Sequence, residues 1–243
     1  MALQHPDPQQ LWFQITEIFG ERTYLQHGVR VAEDDVVLDV GANAGVAAVF
    51  FAGVARAKRV HSFEPVEPIF EILKGNTASY PACVPHMVAL GSRTGTAEIT
   101  YYPRADAMSG LFADAARDEA LVDRVMANKG VRRDARKRQL RGRYEGRTVA
   151  CTVKTLSDVI RELAEPEIGL LKIDVERAEL DVLRGLADDD WPRVRQLVAE
   201  VHDETNRRNE FEDVLSSHGF RTTWVKPPIM VGTGVELVYA VRS

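Results

Sequence analysis

The stretch VVLDVGANAG at residues 36–45 decides the fold of this chain. Its apolar first half predicts a buried strand over Val36–Val40, and its small residues predict a turn into an apolar helix over 46–55. A second apolar run, Arg59–Phe63, predicts another strand that leads into Glu64. A strand, a glycine turn, a helix and a second strand with a carboxylate at its tip form the first half of a nucleotide-type cofactor site on a doubly wound sheet.

The order of the small residues indicates which cofactor this turn binds. A dinucleotide site needs a G-x-G-x-x-G cradle for its pyrophosphate, but Asn43 stands at the second glycine position here. S-adenosylmethionine has no phosphate, its amino acid end suits Asp39 and the loop amides, and its ribose diol suits Glu64. The turn therefore predicts S-adenosylmethionine and disfavours an NAD-dependent oxidoreductase. The plainer alternative is a βαβ unit whose glycines only turn the chain.

Composition narrows the class of protein. The chain has 243 residues, 45% hydrophobic and 28% charged, which suits one globular domain. A net charge of −5 argues against a general nucleic-acid binder. No apolar run is long enough to cross a bilayer, no secretory signal is visible, and the two cysteines show no metal-ligand spacing. We therefore expect a cytoplasmic protein without a membrane or nucleic-acid partner.

The alternation of strand and helix patterns predicts a single α/β domain over residues 1–243. An amphipathic helix near the start suggests a helical cap over 1–30, and a composition shift marks an insertion over 101–148 that forms a lid or an acceptor- or carrier-docking element. The remaining strands are predicted over 84–90, at an edge over 97–102, centrally over 169–174, over 194–201, and as an antiparallel edge hairpin of 220–225 and 236–241.

Parallel strands present their carboxyl ends on one rim of a sheet, where ligands bind. Two predicted strands bring Asp174, Glu176, Glu200 and His202 to that rim. Because imidazole titrates near neutral pH, His202 is the predicted general base, and Asp174 and Glu176 are predicted to shape the acceptor site. In one alternative His202 only bonds a loop. In another it binds a divalent metal with Asp174 and Glu200, but no metal is assigned because no tight ligand spacing supports one.

The complete set of predicted site residues follows from the same rim and the segments next to it. The cofactor is predicted to contact Tyr24, Asp39, Gly41, Ala42, Asn43, Gly45, Glu64, Pro65, Ala89, Leu90 and Asp174. The acceptor or lid side is predicted to include Met108, Ser109 and Glu200.

Residues 131–147 form a strongly basic run. Such a run is usually a solvated face, and its functional alternative is a docking surface for an acidic partner such as a phosphopantetheinyl carrier protein. RNA is a weaker alternative, because Tyr144 is the one aromatic residue within the run.

Two blocks of this sequence resemble the FkbM family of S-adenosylmethionine-dependent methyltransferases over about residues 24 to 220. The first is LDVGANAG at 38–45, where the family has D-V-G-A-N-x-G, and the second is LKIDVERAE at 171–179, where the family has K-I-D-V-E-G-x-E. Phe63-Glu64-Pro65 and Glu200-Val201-His202 also fit. The resemblance implies a class I, Rossmann-like methyltransferase fold, with a seven-stranded, mostly parallel sheet, an antiparallel edge hairpin and helices on both faces. It also implies cofactor contacts from Asp39, Gly41, Asn43 and Glu64.

Arg177 replaces the usual glycine of the second block. The sequence around it, and the stretches 101–103 and 108–111, are similar to the subset of the family found with polyketide and nonribosomal-peptide assembly lines. This similarity implies O-methylation of a natural-product intermediate, either free or tethered to a carrier protein. Sugar O-methylation and a non-catalytic docking module that keeps the cofactor fold are the alternatives.

Overall fold

The segment at residues 36–45 forms the strand and turn that its sequence predicts. The computed structural model describes residues 3–163, 165–202 and 207–242. The strands of this part of the chain are β1 Val36–Val40, β2 Arg59–Phe63, β3 Cys83–His86, β4 Ala89–Leu90, β5 Gly95–Tyr101, β6 Arg147–Lys154, β7 Leu170–Ile173, β8 Gln196–His202, β9 Phe220–Val225 and β10 Val235–Arg242. The α-helices are α1 Pro8–Ile15, α2 Val46–Gly53, α3 Glu67–Thr77, α4 Ala115–Asn128, α5 Arg133–Leu140, α6 Leu156–Leu163, α7 Glu179–Arg184 and α8 Arg207–Ser217.

Seven strands form the main sheet in the order β3-β2-β1-β7-β8-β10-β9. All neighbours pair in parallel except β10, which is antiparallel to both β8 and β9. The predicted fold class is therefore confirmed, including the reversed hairpin at the edge. The chain changes direction across the sheet between β1 and β7, and the crevice beyond the carboxyl ends at such a point is where α/β sheets bind ligands.

Apolar side chains of the strands alternate between two cores, because successive residues of a strand point to opposite faces. Leu38 of β1 packs with Leu156 of α6 and Phe211 of α8 on one face. Its neighbour Val37 packs with Phe50 of α2 on the other. Burial of each large side chain contributes about 1.5–3 kcal/mol, so both layers of helices are held to the sheet mainly by these contacts.

The predicted strand over 84–90 is wrong in its extent. The chain leaves the main sheet after β3, since the Val88 amide bonds back to the carbonyl of His86, and β4 pairs instead with β6. The predicted edge strand over 97–102 is confirmed, although it lies at the edge of a second sheet. It is β5, which pairs with β6, and β4, β6 and β5 form a separate three-stranded sheet with its own apolar cluster.

The chain between β5 and β6 carries the region predicted as an insertion. It contains a 3₁₀ turn over Asp106–Met108, then α4 and α5. Asp114 caps α4, because its carboxylate accepts hydrogen bonds from the amides of Ala116 and Arg117. The basic run is not uniformly solvated, since Leu140 and Tyr144 within it are buried against Tyr102.

The N-terminal segment forms α1 and then a π-helical turn over Thr16–Gly20. Asp7 accepts hydrogen bonds from the first amides of α1 and also forms an ion pair with Arg143, at 2.6 Å. The N-terminal helix is thereby linked to the basic run, although the two lie at opposite ends of the first 150 residues.

Candidate active site

The turn after β1 places its backbone in conformations that few residues adopt. Gly41 and Gly45 have φ of +77° and +82°, and Asn43 between them has φ of +47°. A side chain on Gly41 would overlap the backbone carbonyl of Asp174, so this position requires glycine. The Gly41 and Ala42 amides donate to the Phe63 carbonyl at 3.1 and 3.0 Å, which joins the turn to the end of β2.

Glu64, at the end of β2, lies on the wall of a cavity beyond the carboxyl ends of β1 and β7. One of its carboxylate oxygens accepts from the Asn43 amide at 3.1 Å, and the other accepts from the Val66 amide at 2.9 Å. Burial raises the pKa of Glu64 to about 7. The carboxyl is therefore fixed in place by the backbone and titrates near neutral pH.

Asp106 completes this side of the cavity, and sequence reasoning missed it. Its Oδ2 accepts from Asn43 Nδ2 at 3.1 Å and lies 3.3 Å from Nε2 of His5. Its other oxygen is buried without a hydrogen-bond partner among the described residues. The sequence did place its neighbour Ser109 at the site, and Ser109 also lines the cavity. Closeness to Ser109 in the sequence was therefore the signal that could have identified Asp106.

Lys172 of β7 is a buried cation beneath the turn, and it too was missed. Its Nζ donates to the Gly41 carbonyl at 2.8 Å and lies 3.1 Å from Asp39 and 3.7 Å from Asp174. Burial disfavours its charge, but the two carboxylates outweigh that penalty and raise its pKa. Asp39 is thus engaged below the turn and does not line the cavity.

Three carboxylates form the opposite side of the cavity, Asp174, Glu176 and Glu200. Asp174 accepts a hydrogen bond from the Tyr24 hydroxyl at 3.0 Å. Burial and the charge of Asp174 raise the pKa of Glu200 well above its ordinary value. The structure therefore brings together the acidic residues that the sequence placed on this rim.

His202 lies behind these carboxylates rather than in the wall of the cavity. Its Nε2 is 3.1 Å from Glu176, and its Nδ1 is 3.0 Å from Glu179. Burial lowers the pKa of His202, but the two carboxylates more than compensate and hold it well above the ordinary value. Both nitrogens of the imidazole therefore face glutamates, and the ring does not belong to the lining of the cavity.

The segment between β7 and α7 has an unusual backbone that explains where the helix begins. Glu176 and Arg177 have φ of +50° and +75°, which a helix does not allow, so α7 starts only at Glu179. The Arg177 guanidinium forms a buried ion pair with Asp118 of α4 at 2.6 Å. This pair joins the second sequence block to the region between β5 and β6.

The predicted cofactor residues fall into two groups. Those that line the cavity are Gly41, Asn43, Glu64, Pro65, Ala89, Leu90 and Asp174. Those outside the lining are Tyr24, Asp39, Ala42 and Gly45, and of the predicted lid residues Ser109 lines the cavity whereas Met108 does not. Lining residues that sequence reasoning missed include Gln10, Phe13 and Gln14 of α1, whose amphipathic pattern was the only available signal.

Comparisons with known proteins identify the family. A family model described as the methyltransferase FkbM domain matches residues 39–222. The chain is 38% identical to the 31-O-demethyl-FK506 methyltransferase FkbM of Streptomyces tacrolimicus, over 100% of this chain and 94% of that protein. It is 36% identical to the AMB antimetabolite synthetase AmbE of Pseudomonas aeruginosa, over 93% of this chain but only 11% of that protein.

The fold is also similar to solved structures. Fibrillarin of Aeropyrum pernix, solved with natively bound S-adenosyl-L-methionine, aligns with a TM-score of 0.51 over 93% of this chain and 74% of that chain. The two sequences are 12% identical, so this similarity concerns the fold alone. Within the described ranges, no helix has the length and apolar character that crossing a membrane requires.

Proposed function

The chain belongs to the FkbM family of S-adenosylmethionine-dependent methyltransferases, and we propose that it methylates a hydroxyl group of a natural-product intermediate. The relative with 38% identity is named as a methyltransferase of 31-O-demethyl-FK506, and another relative is an antimetabolite synthetase. The observation that carries the proposal is the carboxylate of Asp174, which lines the cavity and is held there by Tyr24 and Lys172.

The residues of the cavity fit the cofactor. Among the described residues, its lining contains five carboxylates and no lysine or arginine, and the carboxylates are Glu64, Asp106, Asp174, Glu176 and Glu200. S-adenosylmethionine carries a sulfonium, an ammonium group and two ribose hydroxyls, all of which are stabilised by carboxylates. Gln14 Oε1 and Asp106 Oδ1 are buried there without hydrogen-bond partners among the described residues, so two acceptors remain for a ligand. When bound, the cofactor supplies an electrophilic methyl group.

Glu64 and Asp106 would then hold the nucleoside end of the cofactor. Each Glu64 oxygen accepts a single hydrogen bond from the backbone, which leaves acceptor capacity for the ribose hydroxyls. Phe13, Val88 and Ile99 add apolar lining. We therefore assign this side of the cavity to the cofactor, and the side with Asp174, Glu176 and Glu200 to the acceptor.

A hydroxyl acceptor must lose its proton as its oxygen attacks the methyl group. We assign Asp174 as the general base that accepts this proton. The Tyr24 hydroxyl donates to Asp174 Oδ2, and the Lys172 ammonium lies 3.7 Å from the same oxygen, so both contacts hold the carboxyl group in the wall of the cavity. His202 has its two nitrogens directed at Glu176 and Glu179. In this proposal it is a positioning residue that orients Glu176, and not the general base that the sequence predicts.

The proposal is tested with labelled S-adenosylmethionine and a panel of acceptors, read by mass spectrometry. Hydroxyacyl groups on a carrier protein, the same groups as free acids, and free sugars form the panel. Methylated hydroxyacyl products support the proposal. Methylation of sugars alone, or binding of the cofactor without any transfer, contradicts it and favours one of the alternatives.

The role of Asp174 is tested by Asp174→Asn, which removes the base and keeps the shape of the side chain. We expect kcat to fall by about 10²–10⁴-fold while cofactor affinity stays within a few fold. Asp181→Asn on α7, a carboxylate that is 28% exposed and lies outside the cavity lining, is the matched control and should retain full turnover. Equal kcat in the two variants would remove Asp174 from the mechanism.

We also propose that a tethered acceptor arrives on an acidic carrier protein that docks at α5. Lys137, Arg138 and Arg141 are exposed there, whereas Arg136 and Arg143 are engaged by Asp123 and Asp7. Exposed charges of one sign steer an oppositely charged partner and lose this effect in salt. Charge reversal of the three exposed residues should therefore lower kcat/KM for carrier-bound acceptors and leave free acceptors unaffected. An equal loss for both kinds of acceptor would contradict docking.

A further inference from the structure

We propose that the carboxyl ends of β7 and β8 hold a divalent metal ion, bound by Glu176, Glu200 and His202. Each of the three side chains offers one ligand atom, and these atoms all lie within 4.8 Å of one another. Two of the residues line the cavity, and His202 lies directly behind them. An ion at this position would face the acceptor side of the cavity.

The histidine is oriented as metal-binding histidines are. Nδ1 of His202 lies 3.0 Å from Oε1 of Glu179, a carboxylate that is 1% exposed. This contact occupies one nitrogen and directs the other, Nε2, towards Glu176 and the cavity. A carboxylate that bonds the remote nitrogen of a ligating histidine is a regular outer-shell partner, because it sets the tautomer and the plane of the ring.

Glu176 provides an independent observation that points to a ligand. Only 8% of this residue is exposed, and its Oε2 is buried without a hydrogen-bond partner in the described ranges. Nε2 of His202 approaches that oxygen to 3.1 Å but does not form a hydrogen bond of normal geometry with it. Glu176 has a left-handed backbone, with φ of +50°, and none of the donors among the described residues satisfies its Oε2.

The charge of the cavity also favours a cation. In the part of the chain that the structure describes, its lining has five carboxylates and no lysine or arginine. The nearby Lys172 is already engaged by Asp39 and the Gly41 carbonyl. A bound sulfonium offsets one negative charge, and a divalent ion between Glu176 and Glu200 would offset two more where the carboxylates are most closely grouped.

The donor set selects the kind of ion. Carboxylate oxygens suit Mg²⁺, Ca²⁺ and Mn²⁺, whereas an imidazole suits transition metals, so two carboxylates with one imidazole favour an ion such as Mn²⁺. Three protein ligands leave positions for an oxygen of the acceptor. Building on the proposed function, an acceptor hydroxyl bound there would have a lowered pKa and would release its proton more readily to Asp174.

The site is tested by titrating the EDTA-treated protein with Mn²⁺. Calorimetry and electron paramagnetic resonance measure the binding of the ion. We expect one saturable site per chain. Glu200→Gln should weaken Mn²⁺ binding at least about tenfold, since loss of an outer-shell partner alone has an effect of about 10–100-fold. Glu176→Gln is the second ligand variant, and Asp181→Asn, a carboxylate of α7 outside the cavity lining, should bind Mn²⁺ unchanged.

Parallel measurement of S-adenosylmethionine affinity shows whether each variant is folded. Absence of saturable Mn²⁺ binding, or Mn²⁺ binding that neither ligand variant weakens, would overturn the metal site. Methyl transfer to hydroxyl acceptors that persists in EDTA, without any Mn²⁺ site, would refute the metal and leave the proposed function standing. Mn²⁺ binding in a protein that transfers no methyl group to hydroxyls would support the metal site and contradict the proposed function.

Discussion

At Arg177 the chain keeps a backbone conformation that favours glycine but has a long charged side chain there. Its φ is +75°, a left-handed conformation that costs a non-glycine residue about 1–2 kcal/mol. In return, the guanidinium forms a buried ion pair with Asp118 at 2.6 Å. The departure from the family pattern is thus compensated by a contact with α4, a partner that the local sequence does not indicate.

We predict that Arg177→Gly destabilises the protein by about 2 kcal/mol, despite restoring the residue typical of the family. Relief of the backbone strain is smaller than the cost of about 3–5 kcal/mol for leaving Asp118 as an unpaired buried carboxylate. Urea unfolding measures the change, and the double variant Arg177→Gly with Asp118→Asn should recover part of the loss. Unchanged or increased stability of Arg177→Gly would contradict this account of the ion pair.

The raised pKa of Glu64 leads to a prediction of how S-adenosylmethionine affinity depends on pH. Burial raises its pKa to about 7, so in the free protein it is mainly protonated below that pH and ionised above it. The ionised form accepts hydrogen bonds from the ribose, so S-adenosylmethionine affinity should increase as pH rises through 7. The same raised pKa means that Glu64 favours folding in its protonated form, and this contribution to stability is lost as pH rises through about 7.

Calorimetric titrations across this pH range provide the measurement. In Glu64→Gln the side chain does not titrate, so we expect weaker binding with a flatter pH profile. Glu71→Gln, at an exposed residue of α3 that pairs with Lys74 on the surface, should keep the wild-type profile. A pH profile that is identical in Glu64→Gln and wild type would show that another group controls binding.

At the scale of elements, α1 and the chain between β5 and β6 both contribute to the lining of the cavity. The lining residues of the second segment are Asp106, Ala107, Ser109, Gly110 and Leu111. The contacts that join these segments include the ion pair of Asp7 with Arg143 and the cation–π contact of Lys129 with Phe13, at 3.7 Å from the ring centroid. The cap and lid roles predicted from sequence stay predictions, and the contacts show how the two segments would act together.

Arg143→Ala should loosen α1 without unfolding the protein. The pair with Asp7 is about one quarter exposed on each side, so its loss should cost no more than about 1 kcal/mol and should have less effect in high salt. We expect faster hydrogen exchange in α1 and cofactor affinity lowered by up to about fivefold. Lys74→Ala, which removes a surface pair on α3, is the control and should leave exchange in α1 unchanged.

At the scale of the whole molecule, binding at the carboxyl ends of β1 and β7 should stabilise the entire domain. A ligand present at 100 times its Kd adds about 2.7 kcal/mol, which corresponds to a rise in Tm of about 5–10 °C for a domain of this size. We expect this shift with S-adenosylmethionine and none with NADH. An equal shift with NADH would contradict the assignment of the cofactor.

Much of the architecture was accessible from sequence because it depends on local patterns. The turn at 36–45, the strand that precedes Glu64 and the edge hairpin follow from alternation and from small residues. The prediction of one strand over 84–90 is wrong because the end of this segment depends on a distant part of the chain. Its apolar continuity does not reveal that β4 leaves the main sheet to pair with β6, whose residues lie more than 50 positions later.

The sequence by itself determined the order of strands and helices, the turn that needs glycine, and the family to which the chain belongs. Only the tertiary structure showed that His5 meets Asp106, that Lys172 lies beneath the turn, and that His202 is held between two glutamates. The physical reason is the separation along the sequence of the residues that interact. Turns and strands depend on neighbouring residues, whereas these buried charges join distant segments whose positions are set by the packing of the whole domain.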